Sequence, residues 1–389
     1  MVSNPVASRI GHAQHVGSLV RPEDVVRDFM RPLSAQPLTP AEQADLQDRV
    51  ARLVRANVKL LGRTGLPLTS GEAPWLLYLS ALGVLFQTDP SGFAPGNART
   101  LPWHRLDGQP TTPVVDALVI PGLVGSLKPT GESILPIEKP VLTVADELGL
   151  RGPTMVSIPS VLNLAMGYRP GLTSQTLEEV FAIATWVMVD TAAQLAHLGF
   201  TIVKVDDPIA LQLGDPKVRA ELIFEGLDPD ELLERGALSD NRILQTIKAE
   251  GAVAALHLCN GNALGYQIGD TGLENISNIL PGTQADAFFV EALPYLEPNW
   301  ELLGLLPRDT LAVLGLISSK DPQLEDPKEV IARITAAARH RDLASLAVSP
   351  QCGFASHVLG NNLTADEQAA KLGLVVKIAD EVWGKPSWR

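Results

Sequence analysis

Eight short apolar segments, each ending in a small or polar residue, alternate along this chain with longer helical stretches. Such alternation is typical of parallel βα units, because a parallel strand needs a crossover, usually a helix, to reach its neighbour. The predicted strands are residues 14–18, 66–72, 154–160, 201–207, 253–259, 287–291, 312–318 and 346–352. The predicted helices are residues 40–61, 176–198, 216–235, 239–249, 327–339 and 364–383.

Eight strands with polar residues at their carboxyl ends predict an α/β protein of the (β/α)8, or TIM, barrel class, whose active site lies where the strands end. A doubly wound open sheet is the competing fold, but no GxGxxG turn follows the first strand. Residues 85–140 interrupt the alternation, are rich in proline and glycine, and hold an extra apolar run at 114–121. We predict one domain over residues 1–389. In it the 85–140 excursion, which follows the second strand, forms a hairpin or flap near the barrel mouth or an ordinary surface insertion.

The charge balance disfavours two classes of partner. The net charge is −13, and no run of Lys and Arg is present. Such a surface repels phosphate backbones and anionic lipids, so we expect neither nucleic acid nor membrane as a partner. No apolar stretch approaches the roughly 20 residues that cross a bilayer, and the N-terminus lacks a signal-peptide layout. The sequence therefore predicts a cytoplasmic protein.

The chain has two cysteines, Cys259 and Cys352, and each follows an apolar, strand-like run. In an intracellular protein, thiols placed in this way are more often metal ligands than a disulfide. His257 lies two residues before Cys259, so in a strand the two side chains point to the same face. One imidazole and two thiolates suit Zn²⁺. Taken singly, each cysteine is better explained as an inert buried thiol and His257 as a hydrogen-bonded core histidine; the HxC pair with a cysteine at another strand end is what favours zinc.

Several short motifs connect these residues to a known family. They are HVGSLVRP at 15–22, VDDP at 205–208, HLC at 257–259, VEAL at 290–293, SPQCGF at 349–354 and EVWG at 381–384. Together they resemble the cobalamin-independent methionine synthase superfamily, in particular its short, single-barrel members, and they span most of the chain. The resemblance implies a TIM barrel that binds zinc through His257, Cys259, Glu291 and Cys352. Glu291 is assigned by the resemblance, and Glu297, followed by Pro298, is its nearest rival.

The resemblance also implies an activity. Members of the superfamily transfer alkyl groups to zinc-bound thiols, so this chain is expected to be a zinc-dependent methyl or alkyl transferase. The expected partners are a small-molecule thiol and an alkyl donor. The reaction is methyl transfer to homocysteine or a related thiol, or the opening of an epoxide by a thiol. The donor stays open between a methylfolate, a methylcorrinoid and an epoxide.

Other strand ends supply candidate substrate contacts. Ser18, Glu72 and Asp206 match positions that hold the amino acid part of homocysteine in methionine synthases, and the two carboxylates are suited to an ammonium group. We assign Glu72 and Asp206 the catalytic role as well. His15 and Arg21 are candidates for contact with an anionic group of the substrate, although a surface salt bridge explains Arg21 equally well. For Ser18 the alternative is an ordinary turn.

Asp207 replaces the usual glutamate of the VDDP motif, and we interpret it as the cap of the following helix.

The chain departs from the family in two places. The seventh strand end, residues 315–320, lacks the histidine that two-barrel methionine synthases use there as a general acid, which puts methylfolate in doubt as the donor. Lys320 is either its substitute or a solvated loop lysine. Residues 73–78 are unusually apolar, which predicts a pocket for a larger or more hydrophobic substrate. Alternatively, this stretch covers the barrel or forms a contact in a homo-oligomer.

Two other functions fit the same barrel. The related uroporphyrinogen decarboxylase branch shares the fold without needing zinc, so a lyase or isomerase of a specialised pathway is one alternative. A non-catalytic protein with structural zinc is the other, because four protein ligands would complete such a site.

Overall fold

The computed structural model describes residues 4–31, 36–73, 80–89, 93–105, 108, 110–116, 118, 120–269, 272–292 and 298–389. Two features of the sequence, Glu297 and most of the apolar run at 73–78, lie outside these residues. The strands are β1 Phe86–Asp89, β2 Phe93–Arg99, β3 Ile120–Leu123, β4 Ser126–Pro129, β5 Met155–Pro159, β6 Ile202–Asp206, β7 Val253–Leu258, β8 Ala287–Glu291, β9 Leu311–Ile317 and β10 Leu346–Pro350.

The helices are α1 Pro5–Ile10, α2 Glu23–Met30, α3 Pro40–Thr64, α4 Ser80–Leu85, α5 Pro113–Asp116, α6 Leu135–Glu147, α7 Val161–Ala165, α8 Leu177–Leu198, α9 Pro208–Gln212, α10 Pro216–Phe224, α11 Pro229–Ala249, α12 Pro327–Ala337 and α13 Ala365–Trp383. Short 3-10 helices follow β7, β8 and α12.

Strands β5 to β10 form one parallel sheet in which every strand pairs with its neighbours in chain order. The segments around Ala13 and Leu68 extend this sheet at its two edges through parallel bridges to Val348 and Thr154. The strand positions therefore follow chain order around the sheet, and the predicted (β/α)8 barrel is confirmed.

The first two predicted strands, 14–18 and 66–72, are shorter than predicted. Within the described residues each contributes one bridge to the sheet, and they meet through other hydrogen bonds. His15 Nε2 lies 2.8 Å from the carbonyl of Pro67, and the amide of Leu19 donates to the carbonyl of Gly71 at 3.0 Å. Pro67 lacks an N–H to donate, and Gly71 has φ +71°, which departs from a strand, so regular pairing stops at these residues.

The barrel interior is a separate apolar cluster with contributions from β5 to β10 and from the first strand position. Its members are Val6, Ala7, Ile10, Val16, Met155, Ile202, Val253, Ala255, Ala287, Phe289, Leu311, Val313 and Ala347. Val203 and Val205, the alternate residues of β6, belong instead to the larger cluster under the helices. This period of two means that Lys204 and Asp206 share the inward face of β6 with Ile202.

The helix boundaries differ most from the prediction between residues 216 and 249. The predicted helix 216–235 is two helices, α10 and α11, and α11 continues through the predicted break at 236–238. Gly226 has φ +81°, which ends α10. Asp228 then caps α11 by accepting a hydrogen bond from the amide of Asp230 at 2.9 Å, with Pro229 in the first turn.

The described part of the 85–140 excursion forms two antiparallel ribbons, β1 with β4 and β2 with β3. Its apolar run at 114–121 contributes to α5 and β3, and its predicted end at residue 140 falls inside α6. His104 exchanges backbone hydrogen bonds of 2.8 and 2.9 Å with Gln267, which lies in the loop after β7. The excursion therefore contacts a loop at the carboxyl end of the sheet. Its role as a flap and the single-domain boundary stay predictions.

Among the described helices, α8 is the one long and apolar enough to cross a membrane by length and composition. Of its most apolar 18-residue window, 56% is buried inside the fold. Val180, Ala184 and Met188 on this helix belong to the large apolar cluster. The same length and composition therefore also suit a core helix.

A pair of buried carboxyl groups joins β6 to α11. Asp207 Oδ1 accepts hydrogen bonds from the amides of Ile209 at 3.1 Å and Ala210 at 3.0 Å, which confirms that Asp207 caps α9. Asp240 on α11 is 3% exposed and is hydrogen-bonded to Asp207. Burial raises the pKa of Asp207 to about 6, and burial together with the charge of Asp207 raises the pKa of Asp240 well above its usual range. Asp240 is therefore the protonated partner.

We expect Asp240→Asn to make the stability of the protein less sensitive to pH. A carboxyl group whose pKa is raised on folding stabilises the protein below its unfolded pKa of about 4, and that stability is lost as the pH rises through the folded value. The asparagine keeps an N–H donor for Asp207 and cannot ionise. The variant should gain about 1 kcal/mol or more over wild type between pH 5 and pH 8, since one pKa unit is worth about 1.4 kcal/mol. Thermal unfolding at both pH values measures this, with exposed Asp48→Asn as the control; an unchanged difference would contradict it.

Candidate metal centre and adjoining pocket

Three predicted metal ligands converge at the carboxyl ends of β7 and β10. Cys352 Sγ lies 3.8 Å from His257 Nε2 and 3.9 Å from Cys259 Sγ, and the three ligand atoms lie within 4.8 Å of one another. With zinc–sulfur bonds of about 2.3 Å, two thiolates of a tetrahedral site lie roughly 3.8 Å apart. Both cysteines are free thiols, and all three side chains are buried. The spacing and the donor types therefore fit a zinc ion.

The two thiols have opposite pKa shifts. A hydrogen bond from the Cys259 thiol, helped by His257 and Ser356, holds the pKa of Cys352 well below its usual range. The bond to Cys352 and burial raise the pKa of Cys259. Ser356 Oγ lies 3.3 Å from Cys352 Sγ. Both shifts come mainly from the contact between the two thiols, so the loss of a proton by either thiol affects the other.

Glu291, the last residue of β8, is engaged by other groups. Its Oε1 lies 2.9 Å from the ammonium of Lys320, and its Oε2 accepts a hydrogen bond from the amide of Asn260 at 2.9 Å. The Lys320 side chain is 7% exposed and also donates to Gln267 Oε1 at 3.1 Å. Burial alone would lower the pKa of Lys320, but the carboxylate of Glu291 raises it. Lys320 is therefore a buried, ion-paired residue, and its interpretation as a solvated loop lysine is wrong.

Asp206 lies beside the metal-ligand cluster. It ends β6 and pairs in register with His257 on β7. Its Oδ1 lies 2.9 Å from the ammonium of Lys204, whose side chain is fully buried and also donates to the carbonyl of Val16. Sequence reasoning missed this lysine, although the strand period of two would have placed it on the inward face below Asp206.

Glu72 lies near Asp206 and Lys204, because a Cβ atom placed on Gly17 would lie 3.1 Å from Glu72 Oε1 and 3.7 Å from Lys204 Nζ. We call the group formed by these three residues the acidic pocket. Glu72 has φ +53°, is 6% exposed, and its Oε2 has no hydrogen-bond partner among the described residues. Burial, followed by the charge of Asp206, raises the pKa of Glu72 to about 8. At pH 7 the raised pKa favours the protonated form of this carboxyl group. The contact of Glu72 and Asp206 with an ammonium group stays a prediction.

His15 and Ser18 are buried at the end of the first strand position. Burial lowers the pKa of His15 to about 4, so its ring is neutral and offers no charge to an anion. Ser18 Oγ lies 3.3 Å from Ser356 Oγ and accepts a hydrogen bond from the amide of Ala355 at 3.3 Å. Ser18 therefore contacts the hydroxyl of Ser356, which in turn contacts Cys352 Sγ.

Arg21 ties three loops together. Its guanidinium donates to the carbonyl of Glu72 at 3.0 Å, to that of Ala355 at 2.8 Å and to that of His357 at 3.5 Å. It is 6% exposed, so the surface salt bridge considered for it is wrong. These bonds give Arg21 a positioning role for Glu72, and its contact with substrate stays a prediction.

The chain was compared with known proteins. The family model for the catalytic domain of cobalamin-independent synthases matches residues 160–381. Two relatives from Bacillus subtilis (strain 168) match in part. YxjG is 38% identical over 160 residues, which are 41% of this chain and 42% of YxjG. YxjH is 35% identical over 187 residues, which are 48% of this chain and 49% of YxjH. The matched part is thus about half or less of these relatives.

Two solved structures share the fold over nearly their whole length. A Listeria monocytogenes protein described as a vitamin-B12 independent methionine synthase has a TM-score of 0.67 at 22% identity, covering 97% of this chain and 99% of its own. A B12-independent methionine synthase from Shewanella sp. W3-18-1, in complex with selenomethionine, has a TM-score of 0.67 at 15% identity and covers 96% and 98%. The family model spans more than half of the chain and includes the metal-ligand cluster. The chain therefore belongs to the cobalamin-independent methionine synthase family.

Proposed function

We propose that this chain is a zinc-dependent transferase that binds a small-molecule thiol and alkylates its sulfur. The observation that carries the proposal is the convergence of His257, Cys259 and Cys352 at the strand ends of the barrel. Active sites of this fold lie at that end of the sheet. Family membership favours a methyl group as the alkyl group, and the donor stays open between a methylfolate, a methylcorrinoid and an epoxide.

His257, Cys259 and Cys352 would hold the zinc, and Glu291 is the proposed fourth ligand. When bound, zinc supplies a positive charge that lowers the pKa of a substrate thiol and keeps it as a thiolate at neutral pH. Glu291 already uses Oε1 for Lys320 and Oε2 for the amide of Asn260, so a metal would compete with these contacts. While Glu291 stays with Lys320, His257, Cys259 and Cys352 would leave a fourth position for the thiol, as is typical of catalytic rather than structural zinc.

The surrounding residues prepare the site for the thiol. Ser356 Oγ lies 3.3 Å from Cys352 Sγ, and the neighbouring Cys259 thiol, His257 and this hydroxyl lower the pKa of Cys352. Burial of the cluster excludes water, which strengthens each electrostatic contact. Glu72 and Asp206 would contact the far end of the substrate, with Ser18 and His15 at the edge of the same pocket. Arg21 would act by fixing the backbone of Glu72.

The proposed partners are the thiol and the alkyl donor alone. A cytoplasmic location and a homo-oligomer stay predictions.

We expect Cys352→Ser to lower the affinity for zinc by more than about 100-fold, since the loss of an outer-shell partner alone costs 10- to 100-fold. Metal content after dialysis against a weak chelator, measured by atomic absorption, reports the effect. Ser356→Ala is the matched control, because it removes a neighbour of Cys352 without removing a ligand. One zinc per chain in Cys352→Ser would show that the ligand assignment is wrong.

Lys320→Gln should tighten zinc binding. The substitution removes both the competitor for Glu291 and a positive charge close to the metal, worth about tenfold or more at an effective dielectric constant near 20. Competition with a chromogenic chelator measures the affinity. Lys328→Gln, on the exposed face of α12, is the control. Weaker binding in Lys320→Gln would mean that Lys320 supports the metal site instead of competing with the metal.

Zinc K-edge absorption of the purified protein, with and without added thiol, tests the function itself. We expect one sulfur more in the zinc shell when homocysteine or a related thiol is present. The same thiol with its sulfur methylated serves as the control and should leave the spectrum unchanged. A spectrum that stays the same with every thiol would contradict thiol binding at zinc and would favour a lyase or isomerase activity of the same barrel.

A further inference from the structure

We propose that Lys204 is a specificity-determining residue, and that the thiol substrate carries a neutral or anionic oxygen group at its far end and no ammonium group. This inference rests on the proposed thiol chemistry and names the substrate class of that site. It departs from the amino acid thiol that the acidic residues Glu72 and Asp206 alone suggest.

The position of Lys204 puts its charge under the pocket. It alternates with Ile202 on the inward face of β6, one layer below Asp206, and its side chain is fully buried. A Cβ atom placed on Gly17 would lie 3.7 Å from Lys204 Nζ, 3.1 Å from Glu72 Oε1 and 3.0 Å from Ser157 Oγ. The lysine ammonium, the Glu72 carboxyl and a hydroxyl therefore meet around one glycine.

The ion pair cancels the charge that would attract an ammonium. Lys204 Nζ lies 2.9 Å from Asp206 Oδ1, so these two groups together are neutral. Glu72 is mainly protonated at pH 7, since burial and Asp206 raise its pKa to about 8. Arg21 adds a positive charge behind Glu72, and its guanidinium bonds main-chain carbonyls. The neutral imidazole of His15 adds none.

A further acidic residue near Glu72, Glu138, contacts a serine hydroxyl. Glu138 on α6 lies 3.3 Å from Ser70 Oγ through its Oε1. A substrate ammonium placed beside Asp206 would thus have the buried ammonium of Lys204 close by, already paired with that carboxylate. Like charges in a site of low dielectric constant repel strongly.

The same groups suit an oxygen acceptor. A protonated Glu72 donates its proton in a hydrogen bond, and its Oε2 is buried with no partner among the described residues. Lys204 adds a positive potential beneath it. A carboxylate, carbonyl or amide oxygen at the far end of the thiol would satisfy Glu72, whereas an ammonium would leave two donors facing each other.

Calorimetric titration of the zinc-loaded full chain with two matched thiols tests this. L-homocysteine carries the amino group, and 4-sulfanylbutanoate has the same carbon chain and carboxylate without it. We expect wild type to bind 4-sulfanylbutanoate about tenfold more tightly or better, the size of one charge contact at partial burial. Lys204→Gln should shift the ratio of the two affinities toward homocysteine by a similar factor. Lys248→Gln, which removes an ion pair with Asp286 on the outside of the barrel, should leave the ratio unchanged.

The wild-type ratio alone decides the proposal if Lys204→Gln does not fold. Tighter binding of homocysteine than of 4-sulfanylbutanoate to wild type would overturn the role of Lys204 and leave the thiol chemistry standing. Equal shifts in Lys204→Gln and Lys248→Gln would also overturn it. Failure of both thiols to bind the zinc-loaded protein would overturn the proposed function, and this inference with it.

Discussion

The parallel register between β6 and β7 is the constraint on which the rest of the site depends. It sets Asp206 directly beside His257, so the acidic end of the pocket and the metal-ligand cluster share one wall. In a strand, a slip of one residue turns every side chain to the opposite face. Such a slip in β7 would move His257 under the helices. The register shift of β10 at Pro350, where the Gln351 amide donates to the carbonyl of Ile317 at 2.7 Å, then turns Cys352 toward that wall.

Glu72 shows how the loops contribute to the pocket. Its positive φ is uncommon for a residue with a side chain and costs on the order of 1 kcal/mol or more. The Arg21 guanidinium offsets this by binding the Glu72 carbonyl. Because Arg21 also binds the carbonyls of Ala355 and His357, the conformation of Glu72 is linked to the loop that follows Cys352. Arg21 thus links the loop that carries Glu72 to the loop that follows Cys352, in addition to the strand pairing of Asp206 with His257.

The strands and the three clustered metal ligands could be predicted from the sequence because their signals are local. Buried runs such as that of β7 are apolar throughout, and the two-residue spacing of His257 and Cys259 fixes a shared face. The partners of charged residues are set by tertiary contacts and leave no local signal. From the sequence, Lys320 could therefore be interpreted as a loop lysine, although its ammonium pairs with Glu291. Lys204 was not identified, because it lies inside an apolar strand. The break before α11 was missed although its signals are local, since Gly226 ends α10 and Asp228 with Pro229 begins α11.

Two buried ion pairs, Lys320 with Glu291 and Lys204 with Asp206, have their carboxylates at the ends of β8 and β6, the two strands that pair with β7. Each compensates a carboxylate that would otherwise be unpaired in a site of low dielectric constant, where burial of a single charge costs several kcal/mol. The two thiols, Cys259 and Cys352, are then the acidic groups of the metal site that have no ion pair among the described residues. A cation that arrives there meets a site whose other acids are already neutralised, so the thiolates dominate its binding. That arrangement favours a soft, thiolate-binding metal over a hard, oxygen-binding one.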